Sequence, residues 1–204
     1  MSINIEKEWR FMDDTEEKIT NLLESWEFAE KHHKGQMYGS KPYKFHLKNV
    51  TDIALDCDYT DESILISCVL HDVIVDTDVT YEDVKNKFGE EVAEIVYCVT
   101  DELGRNRKER KSKTYKKIYD NPKAIVVKLC DRVSNIIQSM SSDNYNVKLM
   151  QMYLVEHEDF CKGIWNEDSL DLTSTIWSKY YRVIDNLLSK LIILNEKNKD
   201  GNIV

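Results

Sequence analysis

Apolar residues along this chain recur at steps of three and four, and they almost never alternate one in, one out. That is the helical period, not the strand period. The first stripe is Ile19, Leu22, Leu23, Trp26, Phe28 and Ala29. Asp14 followed by Glu17 offers a capping box ahead of it, so the pattern predicts a helix from about 14 to 33 that stops near Gly35. The stretch 35–42, with Gly35, Gly39 and Pro42, reads as a loop. A second helix is expected over about 44–56. A third, over 64–75 and capped by Thr60 or Asp61, is apolar on nearly every side and so belongs in the centre. Thr80 with Asp83 starts a short helix that ends at Phe88-Gly89. The remaining helices fall at 90–100, at 108–119 (strongly basic, stopped by Asn121-Pro122), at 123–140, at 146–163 and at 169–195. The expectation is all-α: a compact bundle of about eight to nine helices in one domain over 1–195, with a polar tail over 196–204 that frays.

Composition narrows the classes without adding a new one. At 204 residues, with 42% hydrophobic and 32% charged, the chain suits one folded domain. Only 6 Gly and 2 Pro occur, too few turn formers for an all-β fold. A net charge of −9 argues against nucleic acid as a partner, because a phosphate backbone demands a broad basic surface. Cys57, Cys68, Cys98, Cys130 and Cys161 are odd in number and form no CxxC pair, so they read as reduced core thiols of a cytoplasmic protein. No basic start leads into an apolar stretch, and no run approaches the length of a membrane span, so neither secretion nor a membrane is expected.

The candidate chemistry lies in two carboxylates that sit where carboxylates are costly. His71-Asp72 interrupts the apolar run Ile64, Leu65, Ile66, Val69, Leu70, Val73, Ile74, and Asp131 follows Ile125–Cys130 directly. An uncompensated ionised group there costs several kcal/mol, and a bound cation removes that cost. With His46 upstream, the set offers imidazole and carboxylate donors suited to a divalent first-row ion. Each part has a plainer reading. His46 alone could be a hydrogen-bonded structural histidine, and Asp131-Arg132 could be an internal ion pair. Side chains of adjacent helical residues diverge by about 100°, so His71 and Asp72 can share one ion only at a helix end or with donors closing in from elsewhere.

Six ordered blocks resemble the hydrolase domain of the RelA/SpoT alarmone enzymes, within the HD superfamily, and especially its stand-alone small hydrolases. They are Phe28-Ala29 with His33-Lys34-Gly35-Gln36, Lys41-Pro42-Tyr43 with His46, Leu70-His71-Asp72-Val73 with Asp76-Thr77, Phe88-Gly89, Val99-Thr100-Asp101, and Val127–Arg132 with Asn135. The resemblance covers about 18–175. It implies an Mn²⁺ ion held by His46, His71, Asp72 and Asp131, with Asp76 and Asp72 as catalytic carboxylates. It also implies cations for phosphate in the basic stretch 105–113, Arg107 first and Arg105 and Arg110 next, with Lys41 nearby. Asn135 and Tyr153 would grip the nucleotide, although Tyr153 could equally be a core tyrosine. His33 would brace the loop before His46.

Two positions depart from the family. Its His-Asp-x-x-Glu-Asp motif here reads His71-Asp72-Val73-Ile74-Val75-Asp76, so valine replaces the glutamate, leaving Asp76 alone or a neighbour such as Asp78. The Arg-Lys pair common before Pro-Tyr is Ser40-Lys41. The implied activity is hydrolysis of the 3′-diphosphate of (p)ppGpp or (p)ppApp. An HD-type nucleotide or NADPH phosphatase and an alarmone-binding sensor are the alternatives. The expected partner is a small nucleotide. The last helix, with Ile176, Trp177, Tyr180, Tyr181, Val183, Ile184, Leu187, Leu188, Leu191 and Ile192, would pack on the domain's own core or join two copies, leaving monomer or homodimer open.

Overall fold

The computed structural model describes the backbone of residues 5–141 and 145–199, and the side chains of 16–141 and 145–196. Ten α-helices follow one another among the described residues: α1 (Ile5–His32), α2 (Lys44–Leu55), α3 (Glu62–Leu70), α4 (Val73–Asp76), α5 (Tyr81–Phe88), α6 (Glu90–Val99), α7 (Arg107–Tyr119), α8 (Pro122–Met140), α9 (Val147–Ile164) and α10 (Leu170–Lys199). The all-α expectation holds. The sheet is one hairpin, β1 (Met37–Tyr38) antiparallel to β2 (Lys41–Pro42), with Gly39 at φ +61° in its two-residue turn, where glycine carries no Cβ penalty.

Three boundaries differ from the expectation. The first helix begins at Ile5, so Asp14 lies inside it and does not cap its start; the Asp14 side chain is outside the described residues. The last helix continues to Lys199, past the expected end at 195, and residues 200–204 lie outside the described residues. The third correction matters for function. The single helix expected over 64–75 is two, α3 and α4, broken at His71-Asp72. Asp72 sits at φ −104°, ψ −1°, in the sparsely populated bridge region between helix and strand geometry. The break lets neighbouring side chains converge where an unbroken helix would fan them apart.

Capping explains most of the other ends. Asp61, not Thr60, accepts the backbone N–H of Ile64 at the start of α3. Thr80 and Asp83 form the reciprocal box at α5, and Asn121 caps α8 with Pro122 in its first turn. Helix α8 is the axis of the molecule. Residues 124–134 are all buried, and the helix packs against α2, α3, α6, α7, α9 and α10. The core has two apolar clusters, and α2, α3 and α6 contribute to both, so those helices stand between them.

On α10, Ile176, Trp177, Tyr180, Val183, Ile184, Leu187 and Leu191 are buried, whereas Tyr181, Leu188 and Ile192 are exposed. Most of its apolar surface therefore packs on its own core. Among the described residues no helix is long and apolar enough to cross a membrane.

Candidate active site

His46 comes from α2, His71 and Asp72 from the α3–α4 break, and Asp131 from the buried middle of α8. The two imidazole Nε2 atoms stand 3.1 Å apart. Asp72 Oδ2 lies 2.9 Å from His71 Nε2 and 3.7 Å from His46 Nε2, and Asp131 Oδ1 lies 3.4 Å from His46 Nε2 and 3.8 Å from His71 Nε2. Neighbouring donors each about 2.1 Å from one ion stand about 3.0 to 3.4 Å from one another. The separations of 3.1 and 3.4 Å fall in that range, 2.9 Å lies just under it, and 3.7 and 3.8 Å lie a few tenths beyond, so the group is close to the size of one coordination sphere. His46, His71 and Asp131 form a buried donor group compact enough to hold a metal, and Asp72 lies against both histidines.

The tautomers agree with that use. His71 Nδ1 lies 2.9 Å from the Cys68 carbonyl, which can only accept, so Nδ1 carries a hydrogen and Nε2 is the nitrogen left to serve as donor to an ion. Ser134 Oγ stands 3.4 Å from His46 Nδ1 and orients the second ring from behind. Around the carboxylates, Tyr43 donates its hydroxyl to Asp72 Oδ2, Lys128 donates to Asp131 Oδ2 at 2.8 Å, and Asn135 donates to Asp131 Oδ1. Tyr38 in turn donates to Asn135 Oδ1 at 2.6 Å. Asp131 thus pairs with Lys128, one helical turn back, while Arg132 turns away and bonds Glu156 at 3.1 Å.

These contacts set the charge states. Burial pulls the His46 imidazole down, but hydrogen bonds and charge from Asp131 and Asp72 outweigh it and raise its pKa to about 9. His71 is raised in the same way, chiefly by Asp72 against the opposing effect of burial. Burial pushes Asp72 and Asp131 up, yet the histidines around Asp72, and Lys128 with His46 around Asp131, hold both well below the ordinary carboxylate range. Burial and Asp72 raise Tyr43, which keeps its hydroxyl proton.

A pH dependence follows. Below about pH 9 the metal-free protein carries a proton on His46 that an entering ion must displace. Metal uptake at neutral pH is therefore expected to release protons, with apparent affinity rising with pH and levelling off above about 9. Calorimetric titration with Mn²⁺ in buffers of different ionisation heat measures the release; uptake without it would show that His46 is already neutral before the ion enters.

His46, Asp72 and Asp131 open onto a cavity of about 250 Å³ lined by aromatic rings, acids and cations. Of the positions expected to act on substrate, Asp76, Arg107, Asn135 and Tyr153 line it. Arg107 is held by Glu156, at 2.5 Å from Nε and 3.2 Å from Nη2. Tyr153 is both core and wall, with the Arg132 guanidinium 4.5 Å above its ring.

Lys41, Arg105 and Arg110 are not among the lining residues. Lys41 reaches over the Phe45 ring, exposed Arg105 pairs with Glu109 at 2.9 Å, and Arg110 packs its stem at Gly104. Asp78 is 91% exposed and faces His32. Val75 lines the cavity and is 42% exposed.

Sequence reasoning missed several wall residues: Tyr38, Tyr43, Asp101, Lys111, Lys128 and Arg132. Lys128 carries a signal, since it stands three residues before Asp131 and so on the same helical face. Lys111 does not. Its ammonium bonds both oxygens of Asp101 at 2.8 and 2.9 Å, and burial together with Lys128 lowers its pKa to about 8. Lys111, Arg107 and Tyr115 also line a neighbouring groove of about 820 Å³ between α7 and α9.

Residues 25–152 match the HD domain, and the chain belongs to that family. Within it, the chain is 36% identical over 121 residues to the guanosine-3′,5′-bis(diphosphate) 3′-pyrophosphohydrolase of Aquifex aeolicus, covering 56% of this chain and 17% of that one. It is also 36% identical over 97 residues to the Drosophila melanogaster pyrophosphohydrolase MESH1, covering 47% and 54%. The chain thus spans about a sixth and about half of these relatives' lengths. The solved structure of a metazoan ortholog of SpoT superposes with a TM-score of 0.66 at 24% identity, over 83% of this chain and 94% of that one, which establishes the shared fold.

Proposed function

We propose that this protein is a divalent-metal-dependent pyrophosphohydrolase that removes the 3′-diphosphate of an alarmone nucleotide such as (p)ppGpp or (p)ppApp. The observation that carries the reading is the convergence of His46, His71, Asp72 and Asp131, three of which, His46, Asp72 and Asp131, line a cavity whose walls also carry Arg107, Lys111, Lys128 and Arg132. Relatives that bear the pyrophosphohydrolase name support it.

The mixed imidazole and carboxylate set fits Mn²⁺, a borderline-hard ion. Such an ion makes a water nucleophilic at neutral pH and polarises the phosphoryl oxygen. The chain's own groups do the rest. His46 and His71 present neutral Nε2 donors once their protons have left. Lys128 and Asn135 fix Asp131, and Tyr43 fixes Asp72. Asp76 accepts the proton of the attacking water. The water oxygen bonds to the phosphorus next to the ribose, the bond from that phosphorus to the 3′-oxygen breaks, the 3′-oxygen takes up a proton and pyrophosphate leaves. Arg107 and Lys111 hold phosphate oxygens, and Tyr153 with Asn135 faces the nucleoside. The groove that shares Arg107, Lys111 and Tyr115 leaves room for the rest of the nucleotide. Five free cysteines support a reducing compartment such as the cytoplasm.

The test is direct. Protein loaded with Mn²⁺ is offered ppGpp, pppGpp, ppApp and NADPH, and released phosphates are followed by phosphorus NMR. Pyrophosphate from the first three is the expected result. Orthophosphate from NADPH would make the protein a phosphatase. The exposed valine at 75, where the family carries an acid, favours one other reading, a sensor, which would show as tight binding without turnover.

A further inference from the structure

Gln36 belongs to a sequence block that braces a loop, yet its side chain does something more specific. Its amide Nε2 donates to Asp76 Oδ2 at 2.9 Å, and its Oε1 faces His33 Nδ1 at 2.7 Å. A carboxylate only accepts, so the amide must turn its NH₂ to Asp76 and its carbonyl oxygen to His33, and His33 Nδ1 must then carry the hydrogen. His33 is 5% exposed and stacks on Tyr43 with ring centroids 4.6 Å apart, so the far end of the chain of bonds is rigid. The Gln36 backbone carbonyl also accepts from the Tyr43 N–H at 3.0 Å, and the Tyr43 hydroxyl bonds Asp72. One short segment therefore grips both carboxylates of α4, Asp72 at its start and Asp76 at its end. Asp76 is exposed, and among the described residues Gln36 supplies its side-chain hydrogen bond.

We propose that Gln36, backed by His33, is the positioning residue for the general base Asp76, holding one carboxylate oxygen so that the other faces the attacking water. The inference rests on the hydrolase reading above and on Asp76 as its base. With valine at 75, no adjacent acid shares the placing of the water, so the orientation of Asp76 carries more of the task. The Gln36 side chain bonds His33 and Asp76, neither of which is among the four donors His46, His71, Asp72 and Asp131.

Gln36→Met keeps length and approximate shape and removes both hydrogen bonds. It is expected to lower kcat about ten- to hundredfold, the usual cost of losing a group that orients a reacting one. KM and bound manganese should be unchanged, since the side chain meets neither. Gln36→Glu, which sets a carboxylate against Asp76, should lower kcat likewise and serves where the methionine variant folds poorly. The decisive measurement is the double variant. In an Asp76→Asn background, Gln36→Met should cost nothing further, because it acts only through Asp76. A kcat unmoved by Gln36→Met, or an equal loss in both backgrounds, overturns the positioning role while leaving the hydrolase standing. Absence of turnover in the parent protein overturns both.

Discussion

Replacing Asp131 with alanine is expected to lower kcat at least about 10³-fold, more than the loss of one oxyanion donor costs an acyl-transfer enzyme, and to destabilise the fold as well. On the proposed reading, the activity loss follows from removing a carboxylate that stands 3.4 and 3.8 Å from the two imidazoles. The stability loss has a separate origin. Lys128 is 9% exposed and bonds Asp131 at 2.8 Å, and that carboxylate, against the opposing effect of burial, keeps its pKa above the ordinary lysine value. Without the carboxylate a buried ammonium is stranded, which costs about 3 to 5 kcal/mol. The two effects separate in the double variant with Lys128→Met: thermal stability should recover most of its loss while activity stays absent. Calorimetry and pyrophosphate release measure the two arms. An Asp131→Ala protein that kept a tenth of its turnover would show that Asp131 is no donor.

Val75→Glu is expected to raise kcat about a hundredfold, the lower end of what a positioned acid or base supplies. The side chain at 75 already faces the cavity and is 42% exposed, so a carboxylate there needs no burial and displaces no packed neighbour. It stands next to Asp76 on the one-turn helix α4 and adds a second group to order the water. Steady-state kinetics on ppGpp decides the matter. An unchanged kcat would show that the present arrangement, with Asp76 held by Gln36, has adapted fully to valine.

The site is legible in part because burial of charge is a local signal. Asp72 and Asp131 each stand in an apolar run that a helix must bury, so both are conspicuous from their neighbours alone. Lys128 is equally visible in principle, one turn from Asp131. Glu156 is not. It bonds Arg132 across 24 residues and Arg107 across 49, and nothing in the spacing of those positions foretells that α9 presents a carboxylate to both. The basic stretch 105–113 shows the same limit. Its composition marks the segment, but only the packing of α7 on α6, α8 and α9 turns Arg107 and Lys111 inward while leaving Arg105 in solvent.

What the sequence determined by itself is what depends on neighbours three or four residues away: the helical period, most of the caps, and the cost of ionised groups inside apolar segments. Tertiary structure alone decided the break at His71-Asp72, the choice of Lys128 over Arg132 as partner for Asp131, and the bond from Gln36 to Asp76. Backbone hydrogen bonds within one turn set the first group. The second is set by how helices cross, because the cost of burying a charge depends on which opposite charge a distant element brings within about 3 Å.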